Sequence, residues 1–357
     1  MISFVWSDNL PLFAGRGGTE SFTIGHIREL MKRGIPARVV SLGLGEEDGR
    51  DYYDDIEFLN LESPEELSEL DDILVYVNFP FNVPTKNRSF VFYHIPPLDR
   101  RTRVVDYKAL QGDQIILTNS RYLRGVWAEH LDINPNKIHI VYPFADPVYA
   151  SVSRTAEFQS DKTRVLFAGR LVPEKGIYLL MEAVHHSVLD EGDFSFTVTD
   201  AGNQSSPGDT IEALLRAHPS IRVINARTTP LEMARLYARY DIVVVPSNHK
   251  YWHEAFGMVS VEAQHSGCKV VASHADGLLE TNCGELIYFE AGNSYDMALK
   301  ISRAAKAGPM LDEERASTVK HFTRESSVNS LLDTIDRYCK TELRRYDEIN
   351  ESPALLR

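Results

Sequence analysis

Two cations five positions apart, Arg170 and Lys175, and two carboxylates eight positions apart, Glu254 and Glu262, are the residues here whose types and spacing suit chemistry on a phosphorylated sugar. The segment Gly169-Arg170-Leu171-Val172-Pro173-Glu174-Lys175-Gly176 follows the apolar run Arg164–Ala168. Loops at the carboxyl ends of strands in open α/β sheets face the ligand crevice, and a following helix offers amides to anions. Two cations converging there suit a diphosphate and can offset the charge on a departing one. Taken alone, the segment reads equally well as a solvated loop. Glu254 and Glu262 follow the run Asp241–Val245, with Glu254 before a helix and Glu262 about two turns into it. One could accept from sugar hydroxyls, the other from ribose hydroxyls. Phe256-Gly257-Met258 would leave backbone N–H groups open to phosphate. Alone, the two glutamates are a helix-start acid and a solvated helix residue.

The elements that must position these residues alternate along the chain. The strand-like runs Ile2–Trp6, Ala37–Leu42, Ile73–Val77, Phe90–Tyr93, Gln114–Thr118 and Ile138–Val141 belong to a first array. Such continuously apolar runs suit sheets covered on both faces by helices. A helix is expected over Thr19–Lys32, and Ser63-Pro64-Glu65-Glu66 is a helix start with Ser as N-cap and Glu at the third position. Residues 146–162 are polar and irregular and read as a linker. A second array runs through Arg164–Ala168, a helix from about Gly176 to Val188, and strands Phe194–Thr199 and Ile221–Asn225. A capped helix from Thr229 to near Tyr240, strand Asp241–Val245, helix Gly257–Ser266 and strand Lys269–Ala272 complete it. A helix from about Ser326 to Arg345 closes the chain. The expected organisation is an N-terminal domain (1–145), a linker (146–162), a second domain (163–325) and a C-terminal helix (326–357) packing back toward the first domain. Two successive βαβ arrays argue for two doubly wound α/β domains facing each other.

In combination and order, the C-terminal features resemble the retaining glycosyltransferases of the family 4 type. G-R-x-x-x-x-K-G runs from Gly169 to Gly176, and E-x7-E joins Glu254 to Glu262. Pro246-Ser247 precedes the first glutamate, and Val261 to Ala272 follows the family's helix–Gly–strand text. Asp200-Ala201-Gly202 resembles its glycine turn beside the donor. The resemblance is specific from about Arg164 to Gly292 and weaker before it. It implies a GT-B fold of two Rossmann-like domains. Arg170 and Lys175 would hold the donor diphosphate, Glu262 the ribose and Glu254 the transferred sugar. The chain departs from the family in a longer stretch between Pro246 and Glu254, and in one glycine at Asp276-Gly277 where two are usual.

In the N-terminal half, Gly17-Gly18 is a glycine turn that lets backbone approach a ligand at a helix start. It also reads as a tight β–α turn. It is neither a P-loop nor GxGxxG. His94 follows the run Phe90–Tyr93, where the family often has a histidine near the donor sugar, and it reads otherwise as a structural histidine. Asn119-Ser120-Arg121 resembles a family cleft loop. Arg100, Arg101, Arg103, Arg121 and Arg124 form a local basic set that suits an anionic acceptor or a solvated face.

Composition narrows the classes. Arg and Lys number 38 against 51 Asp and Glu, and the net charge of −13 argues against general nucleic-acid binding. Three scattered cysteines exclude a disulfide framework and suit a reducing cytosol. His249, His253 and Glu254 are not in HExxH order and lack a third ligand, so no metal is expected. No apolar run approaches the roughly 20 residues of a membrane span, and the amino terminus lacks the basic region of a signal peptide. The expectation is a cytoplasmic, metal-independent transferase without a cofactor. It would use a nucleotide-diphosphate sugar donor and a glycan, lipid-linked or small-molecule acceptor. A sugar-nucleotide epimerase and a non-catalytic nucleotide-sugar binding subunit are the alternatives.

Overall fold

The apolar runs form two all-parallel sheets in the computed structural model. The structure describes residues 1–6, 10–13, 17–97, 114–154, 161–190, 193–200, 206–225, 227–248, 250 and 252–339. β1 (Ile2–Trp6), β2 (Ala37–Leu42), β3 (Phe58–Leu61), β4 (Ile73–Val77), β5 (Phe90–Tyr93), β6 (Ile115–Thr118) and β7 (Ile138–Ile140) pair in the order β3-β2-β1-β4-β5-β6-β7. β8 (Thr163–Phe167), β9 (Phe194–Asp200), β10 (Ile221–Asn225), β11 (Ile242–Val245), β12 (Lys269–Ser273) and β13 (Leu286–Phe289) pair in the order β10-β9-β8-β11-β12-β13. Each sheet changes winding direction where its first strand meets its fourth, at β1/β4 and at β8/β11. Chains leaving neighbouring strands there turn to opposite faces and open a crevice at the carboxyl ends.

The described residues divide into two compact units, Met1–Pro143 with the chain from Arg324, and Phe144–Thr323. In the first, helix Gly18–Lys32 buries Phe22, Ile27 and Leu30. Helix Arg324–Cys339 packs beside it and buries Val328, Leu331 and Ile335. Arg33 Nη1 donates to Asn329 Oδ1 at 2.6 Å between the two. The expected closing helix is thus described from Arg324 to Cys339. In the second unit, Val165 and Phe167 of β8, Phe196 and Val198 of β9 and Val244 of β11 meet helix residues such as Leu180 in one core.

Several expectations change. The segment read as a linker contains the helix Val148–Ser151 and belongs to the second unit. Pro147 sets the entry angle, with φ −53°. Asp146 Oδ1 accepts from the Val148 N–H at 3.0 Å. Four residues are too few to show a helical period, so composition hid them. The capped start at Ser63 leads into a 3₁₀ helix, Pro64–Glu69, with Glu66 accepting from the Ser63 N–H at 2.9 Å. The helix expected from Gly176 to Val188 is regular only over Ile177–Ala183. β3 and β13 are additional edge strands of four residues each, half-exposed over most of their length; Asn60 interrupts the apolar run of β3, whereas β13 is apolar throughout but short.

One backbone contact sets the loops of the second sheet. Gly176 has φ +74°, and a Cβ there would run into the Pro246 carbonyl. Gly34 has φ +75° with open space around it. Gly34→Ala therefore costs only left-handed strain, about 1 kcal/mol, whereas Gly176→Ala adds a backbone clash and costs roughly 3 kcal/mol or more. Urea unfolding of the two variants measures the difference, and equal losses would show that the loops separate freely.

Candidate active site

The loops after β8 and β11 meet at the switch point of the second sheet. Gly169 follows β8 at φ +159°, and Arg170 is exposed beside it. The chain tightens into the 3₁₀ turn Pro173–Lys175 and passes through Gly176 against Pro246. The Asn248 N–H donates to the Glu174 carbonyl at 2.8 Å. These contacts bring Lys175 and Glu254 together: Lys175 Nζ lies 2.7 Å from Glu254 Oε2 and 3.0 Å from Oε1. Ser247 Oγ donates to Glu254 Oε2 at 2.9 Å. Burial alone would push the Glu254 carboxyl up, but the Lys175 ammonium, the Ser247 hydroxyl and the Arg170 charge outweigh it and hold it below the ordinary carboxylate range. Glu254 is therefore an ionised acceptor with a cation at hand.

The turn after β12 supports this carboxylate from below. Asp276 begins the 3₁₀ helix Asp276–Glu280 and has φ +52°. Its Oδ2 accepts from the Glu254 N–H at 3.3 Å, and the Gly277 N–H donates to the Glu254 carbonyl at 2.9 Å. A Cβ on Gly277 would strike the Ala255 carbonyl, so this turn and the Glu254 loop lie in contact. His253 Nδ1 lies 3.1 Å from both Asp276 oxygens. Asp276-Gly277 thus orients the backbone of Glu254.

Glu262 belongs to a second cluster. Gly257, at φ +107°, starts the helix Met258–His265, and Phe256 is buried just before it. Glu262 is the fifth helical residue, little more than one turn in rather than two. Tyr237, fully buried at the end of helix Pro230–Tyr237, donates to Glu262 Oε2 at 3.4 Å. The buried Tyr149 side chain is hydrogen-bonded to the same carboxyl. Burial pushes the Glu262 carboxyl up to about 7, against the two tyrosine hydroxyls, while Asp146 adds to the rise. Tyr149 and Tyr237 escaped sequence reading. One lies in the supposed linker, and the other ends an ordinary amphipathic helix.

In the first unit, Gly17 is the N-cap of helix Gly18–Lys32, and both glycines are exposed. His94 follows β5 and is buried among rings, its own stacked on Phe92 at 4.3 Å and edge-on to Phe22 at 4.6 Å. Burial, with nearby His26, lowers it to about 3, so it stays neutral. Its Nε2 is buried and has no hydrogen-bond partner among the described residues. Asn78 Oδ1 accepts from the His94 N–H at 2.8 Å, and Asn119 Nδ2 donates to the His94 carbonyl at 3.2 Å. This clamp across the ends of β4, β5 and β6 was visible only in part, because Asn78 carries no motif. Gly202, Arg100, Arg101, Arg103 and His249 lie outside the described residues. Arg121 and Arg124 lie in helix Arg121–Leu131. Among the described residues no cluster of three metal-ligating side chains occurs.

The raised Glu262 carboxyl has a consequence for stability. Its ordinary value is 4.5, so between pH 4.5 and 7 the folded chain keeps a proton that the unfolded chain has lost. Stability from this group therefore falls as pH rises through that window. Glu262→Gln should match wild type near pH 4.5 and exceed it by about 3 kcal/mol at pH 8. Melting curves across this range test it, and a gain that does not grow with pH would contradict the burial of the charge.

Residues 162–307 match the family described as glycosyl transferases group 1. The D-inositol 3-phosphate glycosyltransferase of Corynebacterium glutamicum (strain R) is 29% identical over 197 residues, 51% of this chain and 46% of that protein. The chain thus spans about half the length of the curated relatives it matches. Among solved structures, a glycosyltransferase from Rickettsia africae ESF-5 superposes with TM-score 0.73 at 16% identity, covering 96% of this chain and 99% of that one. Anabaena Alr3699/HepE in complex with UDP and glucose superposes with TM-score 0.64 at 16% identity, covering 94% and 99%. With its two all-parallel sheets and these superpositions, the chain has the GT-B fold, and residues 162–307 are similar to the glycosyl transferases of group 1.

Proposed function

We propose that the chain transfers a sugar from a nucleotide-diphosphate donor to a hydroxyl acceptor, with retention at the anomeric carbon and without a metal ion. The observation that supports this best is the convergence of Arg170, Lys175, Ser247 and Glu254 at the β8/β11 switch point, where two cations stand beside an ionised carboxylate. UDP bound to a protein of the same fold is consistent with it.

In this reading the donor diphosphate draws Lys175 from Glu254. The ammonium, with Arg170, then faces the phosphates, and Glu254 is released to accept from hydroxyls of the sugar. The exchange replaces one charge-assisted contact by two and needs both halves of the donor. As the glycosidic bond breaks, negative charge grows on the departing diphosphate. Arg170 and Lys175 stabilise it where a metal would otherwise stand. The leaving phosphate takes the acceptor proton, so no side chain is assigned as general base. Neutral His94 is unsuited to carrying a proton at neutral pH and serves as a polar contact. Glu262 accepts from the ribose.

The test is turnover of a panel of nucleotide-diphosphate sugars, with EDTA present and acceptors varied. Release of nucleoside diphosphate should accompany a glycoside with the donor's anomeric configuration, read by NMR. Arg170→Ala should lower kcat by about 100-fold or more, and Glu254→Gln should lower kcat/KM with nucleoside diphosphate affinity little changed. Donor isomerisation without an acceptor would favour an epimerase. Donor binding without any turnover would favour a binding subunit.

A further inference from the structure

Arg315 makes an unusual set of contacts. From helix Asp312–Thr318, its Nη2 donates to three carbonyls of one short segment: Tyr149 at 3.2 Å, Ala150 at 3.1 Å and Val152 at 2.8 Å. Its Nε donates to the His265 carbonyl at 3.1 Å, at the end of the helix that carries Glu262. One guanidinium thus ties the turn bearing Tyr149 to the helix bearing Glu262. Carbonyls at helix ends lack intrahelical partners, so a cation there satisfies groups that would otherwise need water. Tyr149 is 5% exposed, its ring centroid is 6.0 Å from that of Tyr237, and both side chains meet the Glu262 carboxyl.

We propose that Tyr149 and Arg315 are positioning residues for Glu262: Arg315 fixes the turn that carries Tyr149, and Tyr149, with Tyr237, orients the carboxylate that accepts from the donor's ribose. The ligand half of this statement rests on the donor reading above, and the side-chain half does not.

Two tyrosine hydroxyls and a ribose diol are all donors, and a carboxylate has room for all of them on its four lone-pair directions. A protonated carboxyl has less acceptor capacity and a proton in the way. The nucleoside therefore selects the ionised form, and binding it releases a proton wherever Glu262 is protonated beforehand. Burial pushes this carboxyl up to about 7, so the exchange falls in the physiological range. The groups facing it are Tyr237 from helix Pro230–Tyr237, and Tyr149 and Asp146 from the turn. On its own helix, His265 is lowered to about 4 by burial and stays neutral. From helix Asp312–Thr318, Arg315 is spent on carbonyls, and Lys269 of β12 lies 3.5 Å from Glu285. Each tyrosine hydroxyl favours the ionised form, so loss of one moves the titration upward.

The experiment has a nucleotide-free arm and a nucleotide arm. In the first, infrared difference spectra against Glu262→Gln follow the protonated carboxyl with pH in wild type, Tyr149→Phe, Arg315→Lys and the double variant. The titration should sit near 7 in wild type and about one pH unit higher in Tyr149→Phe. Arg315→Lys should shift it the same way by less, and the double variant should match Tyr149→Phe alone. In the second, calorimetry measures UDP binding from pH 5 to 9. Affinity should fall as pH drops below the titration point, and in Tyr149→Phe the fall should start about one unit higher, with full affinity regained at pH 9. An unmoved titration in Tyr149→Phe overturns the proposal, as does an Arg315→Lys shift that adds fully to it. A shifted titration with no UDP binding at any pH upholds the positioning role and counts against the donor reading.

Discussion

The close approach of Gly176 to the Pro246 carbonyl is the constraint on which the second unit's site depends. Parallel strands deliver their loops to one edge of a sheet, but they do not make those loops touch. Here one residue without a side chain, in a left-handed conformation, lets the loop after β8 lie directly on the loop after β11. The Asn248-to-Glu174 bond and the Lys175–Glu254 pair follow from that approach. A second close approach, Gly277 against Ala255, adds the loop after β12. Two glycines thus turn three separate strand ends into one polar surface.

The two glutamates of the E-x7-E pair end in opposite electrostatic situations, although both are partly enclosed. Glu254 has an ammonium, a hydroxyl and a nearby guanidinium, and burial is outweighed. Glu262 has only neutral donors and an acidic neighbour, and burial prevails. A charge in a low-dielectric place needs an opposite charge more than it needs hydrogen bonds. The difference assigns distinct work to residues whose letters are identical. One is always an anion. The other is an anion when something selects that state.

Much of the fold could be read in the chain. Central strands such as Phe90–Tyr93 and Ile242–Val245 are apolar on both faces, because helices cover both sides of a parallel sheet, and that leaves a plain signature. The edge strands Phe58–Leu61 and Leu286–Phe289 are four residues long and half-exposed, and Asn60 breaks the run in the first, so neither stands out as a strand along the chain. The helix Val148–Ser151 is shorter than any period it could display. In the site, Arg170, Lys175, Glu254 and Glu262 were legible because charged residues at fixed offsets around glycines stand out. Tyr149, Tyr237 and Asn78 were not assigned roles, since each acts through a contact distant in sequence that spacing along the chain does not encode, and Ser247 acts through a bend of its own loop that carries no spacing signature. The pairing of Lys175 with Glu254 was likewise out of reach, because the two residues lie 79 positions apart and are brought together only by the sheet.

The first unit is discontinuous in the chain: its sheet is complete by Ile140, yet the helix that covers Gly18–Lys32 begins only at Arg324. During synthesis the ribosome therefore finishes the whole of Phe144–Thr323 before it emits Val328, Leu331 and Ile335. The later half of the message encodes the unit that can mature first. The first unit waits, with an apolar helix face uncovered, for residues made only after Thr323. Nascent chains thus carry this uncovered face throughout the synthesis of Phe144–Thr323, and a ribosome stalled after Thr323 leaves one finished unit and one open one.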